Sequence, residues 1–450
     1  MSTQVTIIGG GSYQWGPELM ADLFGTPALA GMRLVLQDID PTPLPKMEAL
    51  ANTLNAAMEA KATVSSTTDQ ALALDGADFV IVCISTGGFR SMAVDLDVPA
   101  AHGIVQTVGD SVGPGGINRA LRNIPVLVGI GRAMEEHCPD AWLFNITNPM
   151  TTLTRSVCRE TSIKTVGLCH EVGNFCMDLA IALGRPMESV VPSVTGVNHF
   201  PVLTSIQVDG ADGFEILRDL VEEVGGLSSL APYPGRPEAE MFSKLDFAQR
   251  HLLKLTLLER WGTFPAAGDR HIAEFISSAL TPQSEWGGIY NIGLTPISVR
   301  EKHQEGYIAD VDAWLAGTKD LQTWQSGELP SPMIQAMLTD VPLEAPVNIP
   351  NRGQATNLPL DVVLESICVI DGSGIRGRDT LVVPTPYDEI VRRHTATQEL
   401  TVEAALTGNR ELAAQAFTLD PLAGRGDLHE TDAMVAELLD GTAEWLPQFA

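Results

Sequence analysis

The stretch that most restricts the fold lies at the amino terminus. An apolar, β-branched run from Val5 to Ile8 stops at Gly9-Gly10-Gly11-Ser12, and a helical pattern follows from Pro17 to Leu23. Strand, glycine turn and helix in that order open a dinucleotide-binding unit, because glycine lets backbone N–H groups and a helix N-terminus approach a pyrophosphate. The third glycine of the usual fingerprint would fall at Gln14, so the motif is incomplete. A second apolar run, Leu34 to Gln37, ends at Asp38, 27 residues after Gly11. An acid there accepts both ribose hydroxyls and repels a 2′-phosphate, which favours NAD over NADP. Asp40 is the competing acid.

The rhythm continues. Candidate strands near residues 4–8, 33–37, 79–84, 141–145 and 165–168 alternate with helical stretches, the pattern of a parallel sheet covered on both faces. Their carboxyl ends, where open α/β sheets hold ligands, carry Gly9, Gly11 and Ser12, then Asp38, Thr86 and Gly87, Asn145 and Asn148, and finally Cys169 and His170. After Pro192 the pattern changes to alternating runs at 193–199 and 202–208 and a β-like segment over 341–369. Helical stretches are expected over 236–260 and 382–418. The fold class is therefore α/β: a Rossmann-like doubly wound parallel sheet over residues 1–195, followed by a mixed α+β catalytic domain over 196–450.

Composition narrows the partners. The 450 residues carry a formal net charge of −28, which argues against nucleic acid or an anionic membrane surface, since both require basic patches. No apolar run is long enough for a transmembrane helix. Six cysteines without regular spacing, and no signal peptide, make a disulfide framework unexpected and a reducing cytoplasm the natural setting.

Three segments could carry chemistry. Cys169, His170 and Glu171 end the fifth strand; such side chains hold metals or move protons, although a buried Cys is more often plain packing. Gly109 to Arg119 holds four glycines and a proline and reads as a loop leading into a helix, with Asp110 its only acid. Asp269, Arg270, His271 and Glu274 crowd a short stretch after Gly268, either as a site or as a solvated, capped turn.

Taken together, Gly-Gly-Gly-Ser at 9–12, Gly-Pro-Gly-Gly-Ile-Asn-Arg-Ala-Leu-Arg at 113–122, Asn-Ile-Thr-Asn-Pro-Met at 145–150, Gly-Leu-Cys-His-Glu at 167–171 and Gly-Val-Asn-His at 196–199 resemble glycoside hydrolase family 4. The likeness extends through Asn348-Ile-Pro-Asn-Arg-Gly to Trp445-Leu-Pro. It implies glycoside hydrolysis through transient oxidation at C3 of the sugar, elimination of the aglycone and addition of water, with NAD and a divalent metal such as Mn²⁺. This family departs from two-carboxylate glycosidases. By position the resemblance makes Cys169 and His199 metal ligands and His170 the acid on the leaving oxygen. Asp269 or His271 becomes the base for the C2 proton, and Asp110 and Asn148 stand on the substrate or metal side. Cys-His-Glu resembles the branch acting on non-phosphorylated α-glycosides of the glucoside or galactoside type, in a homodimer or homotetramer. Arg270 keeps an anionic sugar, a uronide or a sulfoquinovoside, as the alternative. A lactate- or malate-type dehydrogenase shares the same sheet and is the rival outside this class; an NAD-sensing module is a non-enzymatic one.

Overall fold

The computed structural model describes residues 2–230, 242–323 and 326–450. The helix expected over 236–260 therefore falls partly outside the described residues; within them it forms Lys244–Arg250 and Leu252–Trp261.

Six strands run parallel: β1 (Gln4–Ile8), β2 (Arg33–Gln37), β3 (Thr63–Thr67), β4 (Phe79–Val82), β5 (Trp142–Asn145) and β6 (Lys164–Leu168). Their order, β3-β2-β1-β4-β5-β6, reverses direction between β1 and β4 and opens a crevice at their carboxyl ends. β3 is the strand the sequence pattern did not reveal. It is an edge strand of small hydroxyl residues with no fully buried position, so it lacks the apolar run that marks the others.

The sheet does not stop at β6. Antiparallel strands extend it through β7 (Val190–Val197), β8 (Phe200–Val208), β9 (Ala211–Asp212), β10 (Leu343–Pro350) and β11 (Val363–Asp371), with β12 (Gly374–Gly377) paired to β11. The order β6-β10-β11-β7-β8-β9 makes the second half a continuation of the first. Residue 195, where the composition changes, lies inside β7. Alternate residues of the inner strands feed two cores: Ile7, Ile81 and Phe144 face one, Ile8, Val80 and Leu143 the other. Burial on both faces is what the continuous apolar strands required.

The glycine-rich stretch after residue 109 is not all loop. A helix begins at Gly113 and runs to His137. Its glycines serve close packing: a Cβ on Gly115 would lie 2.7 Å from the Gly109 carbonyl oxygen, and one on Gly116 2.5 Å from the Ser111 carbonyl carbon. The loop is folded tightly back on the helix it starts. At the amino-terminal turn Gly9 has φ +92°, and a Cβ there would stand 2.2 Å from the Cys83 carbonyl oxygen. Left-handed backbone costs an L side chain about 1–2 kcal/mol before any clash. Gly9→Ala is expected to destabilise the protein by about 2 kcal/mol or more. Urea denaturation would show this as a lowered midpoint at unchanged slope; an unmoved midpoint would contradict it.

Candidate active site

A cavity of about 670 Å³ opens at the carboxyl ends of β5 and β6, roofed by residues of the second half. Asn148, Cys169 and His170 line one wall, and Asp110, His199 and His271 another. The sheet register explains the meeting. Gly167 of β6 pairs with Asn348 of β10, and Glu365 of β11 pairs with Gly196 of β7. Cys169 follows β6, and His199 sits in the turn between β7 and β8, so two intervening strands fix their relation.

Asn198 joins the two sides. Its side-chain amide donates to Glu365 Oε2 at 3.1 Å, and its backbone N–H donates to Thr151 Oγ1 of the parallel half at 2.8 Å. Burial pushes the Cys169 thiol well up, helped by Glu365 and Glu171. Burial likewise raises Glu365 to about 7. A thiol in this setting becomes a thiolate only beside a cation.

His199 is held in one tautomer. Ser111 Oγ lies 2.7 Å from Asp110 Oδ1 and 2.6 Å from His199 Nδ1. The carboxylate can only accept, so the hydroxyl proton goes to Asp110 and His199 Nδ1 must donate to Ser111. Nε2 then carries the lone pair, the arrangement of a metal-binding histidine whose second nitrogen is fixed by an outer partner. His199 has φ +65°, a strained value for this residue type that aims the ring into the cavity. Burial lowers its pKa, which keeps the ring neutral.

His271 stacks on His199 with ring centroids 3.7 Å apart and planes 28° apart. Donor atoms of Asp110, His199 and His271 lie within 4.8 Å of one another. Nearly parallel rings, however, do not aim two lone pairs at a single ion. Burial, then the neighbouring His199, pushes His271 down to about 3, and its Nδ1 is buried without a partner. Asp110 stays ionised: burial would raise it, but His199, His271 and Arg119 hold it below the usual carboxylate range. Its Oδ2 accepts from Asn148 Nδ2 at 3.3 Å. Glu274 accepts from Thr107, Val108 and Gly109, the three residues before Asp110, and clamps the loop that presents it.

His170 Nδ1 lies 2.7 Å from Glu328 Oε1. That hydrogen bond raises His170 to about 9 against the effect of burial, with the charges of Glu328, Glu171 and Glu18 assisting. Glu171, in turn, is brought down to about 2 despite burial by His271, His199 and His170.

Other expected residues are placed differently. Asp269 is buried, bound by the Lys254 ammonium at 2.9 Å and by the Leu253 amide at 2.7 Å, so its carboxylate caps the helix Leu252–Trp261. Asn145 is fully buried, and its amide is engaged by Thr147 and Thr154. Thr86 bonds Asn123 through both its amide and hydroxyl, and Gly87 has φ +80° in the same turn after β4.

The glycine turn fits a dinucleotide. Asp38, not Asp40, faces it: Asp38 Oδ2 accepts from the Gly11 amide at 3.0 Å, whereas Asp40 is exposed and caps Thr42. A Cβ on Gly11 would lie 2.4 Å from Pro43 and 2.7 Å from Asp38, so nothing larger leaves the crevice open. The Ser12 hydroxyl accepts from the Trp15 amide at 3.1 Å at the head of the helix Trp15–Phe24.

Comparison with known proteins places these features. A model described as family 4 glycosyl hydrolase matches residues 4–185, and one for the C-terminal domain of the same family matches residues 194–423. An α-galactosidase of Bacillus subtilis (strain 168) is 31% identical over 456 residues, covering 99% of each chain. An α-galacturonidase of the same organism is 33% identical over 427 residues, covering 93% of each. Among solved structures, lplD from Bacillus subtilis has TM-score 0.87 and 30% identity over 97% of this chain and all of that one. The 6-phospho-β-glucosidase of Thermotoga maritima, with manganese, NAD⁺ and glucose-6-phosphate, has TM-score 0.80 at 20% identity over 99% of both chains.

Ser111 was invisible in the sequence, being one hydroxyl in a glycine-rich segment. Removing the outer partner of a metal-binding histidine weakens metal affinity by about 10–100-fold. Ser111→Ala is expected to raise the Mn²⁺ dissociation constant by such a factor, measured by isothermal titration; unchanged affinity would remove the tautomer argument.

Proposed function

This chain belongs to the family 4 glycosyl hydrolases and is a glycosidase, and from that premise we propose that it is an NAD- and divalent-metal-dependent α-glycosidase whose preferred sugar carries a carboxylate, an α-galacturonide. The observation that carries the substrate class is a pair of guanidiniums that form no salt bridge. Arg270 and Arg300 line the cavity, and neither makes an ion pair among the described residues. Arg270 donates to the Thr295 hydroxyl at 2.7 Å, and Arg300 donates to the Val108 carbonyl at 2.9 Å. Burial lowers the Arg300 pKa and Arg270 adds to that through like charge, against the pull of the Asp110 and Glu274 carboxylates. In a chain with 56 acids and 28 Lys and Arg, two adjacent unpaired guanidiniums at a cavity are suited to an anion brought by the ligand. The sequence alone ranked the neutral sugar first because Arg300 lies thirty residues beyond Arg270 and nothing local links them. The neutral reading, an α-galactoside, keeps the support of the α-galactosidase relative.

The residues present fit both cofactors. The Gly9–Gly11 turn and Asp38 would hold NAD at its pyrophosphate and ribose, and Cys169 and His199 Nε2 would hold the metal beside it. When bound, NAD supplies reversible hydride acceptance and the metal supplies Lewis acidity toward sugar oxygens. Asp110 and Ser111 orient His199. With the Asp269 carboxylate engaged by Lys254, His271 is the neutral base for the C2 proton. His170, held by Glu328, delivers a proton to the leaving oxygen.

A group raised above its ordinary value keeps its proton through neutrality and loses it as pH rises through the raised value. With His170 near 9, turnover is expected to hold through neutral pH and to fall on an alkaline limb near pH 9. A limb near 6.5 in a pH–rate profile would deny His170 this role.

Each charge-assisted hydrogen bond contributes about 1.5–3 kcal/mol, so two such arginines give a preference on the order of a hundredfold or more. Release of 4-nitrophenol from the α-galacturonide, α-galactoside and α-glucoside, with NAD and Mn²⁺ added or withheld, tests the proposal. The galacturonide is expected to be preferred, with strict dependence on both additions and no net NADH. Preference for the galactoside would overturn the carboxylate reading, and steady NADH accumulation would favour a dehydrogenase.

A further inference from the structure

We propose that Glu328 is a positioning residue for the reaction: its carboxylate fixes the His170 imidazole through Nδ1 and ties that ring to the dinucleotide-binding helix. This rests on the reading of His170 as proton donor to the leaving oxygen.

The geometry is a chain of hydrogen bonds across distant parts of the sequence. Glu328 Oε1 lies 2.7 Å from His170 Nδ1, 158 residues away. The Glu328 side chain is 11% exposed, which sets this contact apart from a solvated surface pair. The backbone around it is anchored: the Glu328 amide donates to Ser326 Oγ at 3.1 Å, and the Ser326 amide donates to Asp22 Oδ1 at 2.7 Å. Ser326 Oγ also donates to Asp22 Oδ2. Asp22 is buried on the helix Trp15–Phe24, the helix that begins beside the Gly9–Gly11 turn. At its other end the segment runs into the helix Pro330–Thr339.

A carboxylate on Nδ1 dictates what the opposite nitrogen can do. It accepts the Nδ1 proton, so the proton available for transfer is the one on Nε2. Nε2 lies 3.6 Å from Oε1 of Glu171, another residue lining the cavity, and beyond hydrogen-bond reach of it. The Trp15 ring flanks the imidazole with centroids 6.4 Å apart. Glu328 also lines the cavity, and the role proposed for it is exerted through His170. The consequence is a coupling: the orientation of the proton donor is set by the same helix that sits at the dinucleotide turn.

The distinguishing readout is dependence on the leaving group. A dinitrophenolate departs without a proton, whereas an alkoxide needs one, and general acid catalysis contributes about 10²–10⁴-fold when it is needed. Glu328→Gln and Glu328→Ala holoenzymes are compared with the parent on 2,4-dinitrophenyl and methyl α-glycosides of the sugar the parent hydrolyses best. Both variants are expected to stay within about threefold on the dinitrophenyl substrate and to lose on the order of a hundredfold on the methyl substrate, with NAD and Mn²⁺ affinities unchanged. Equal losses on the two substrates, or no loss from Glu328→Gln, would overturn the proposal. Glu328→Gln is isosteric, so NAD binding and thermal unfolding of that variant separate misfolding from mispositioning. His170→Asn tests the underlying reading separately: if it shows no leaving-group dependence steeper than the parent's, His170 is not the donor, whatever Glu328 does.

Discussion

The structure depends on one constraint of register. β10 and β11 are inserted between β6 and β7 with Asn348 opposite Gly167 and Glu365 opposite Gly196. A one-residue slip in either pairing would turn Glu365 or Asn348 to the opposite face of the sheet. That would break the hydrogen bond from Asn198 to Glu365. The parallel half could bind a dinucleotide without this insertion. What the insertion sets is the position of the His199 imidazole, on the cavity that Cys169 of the parallel half also lines.

Electrostatics then sorts the titratable groups. His170 is charged because Glu328 bonds it, whereas His199 and His271 are neutral because they are buried against each other. Three histidines within one cavity thus acquire different chemistry from surroundings alone. The carboxylates divide similarly: Asp110 and Glu171 lie below the usual carboxylate range, where Arg119 and Ser111 assist the first and His170 and the Gly268 amide the second, while burial pushes Glu274 and Glu365 to about 7. The like-charged pair Arg270 and Arg300 lines the same cavity and forms no salt bridge among the described residues.

Much of the parallel half was legible because its strands are buried on both faces and their apolar runs end abruptly in glycine, Asp or Asn. Cys169, His170, Asp110, Asn148, His199 and His271 could all be named from the chain, and they line one cavity. The edge strand β3 could not be, since exposed threonines and serines carry no periodic signal. Gly115 and Gly116 read as loop because glycine required for close packing looks the same as glycine required for a turn. Asp269 read as a base because its partner, Lys254, is brought to it by the fold of a neighbouring helix. Ser111, Arg300 and Glu328 were missed for a related reason. Each acts through a partner at least 30 residues away, and a single sequence gives no sign of such a pairing.

Cys169 and His199 are proposed to hold one metal in the cavity at the carboxyl ends of β5 and β6. An anomalous difference map at the manganese edge, from crystals grown with Mn²⁺ and NAD, tests it most directly. One strong peak is expected within bonding range of Cys169 Sγ and His199 Nε2, with Ser111 still on Nδ1. A peak elsewhere in the cavity, or one bound to His199 with the Cys169 thiol turned away, would contradict it.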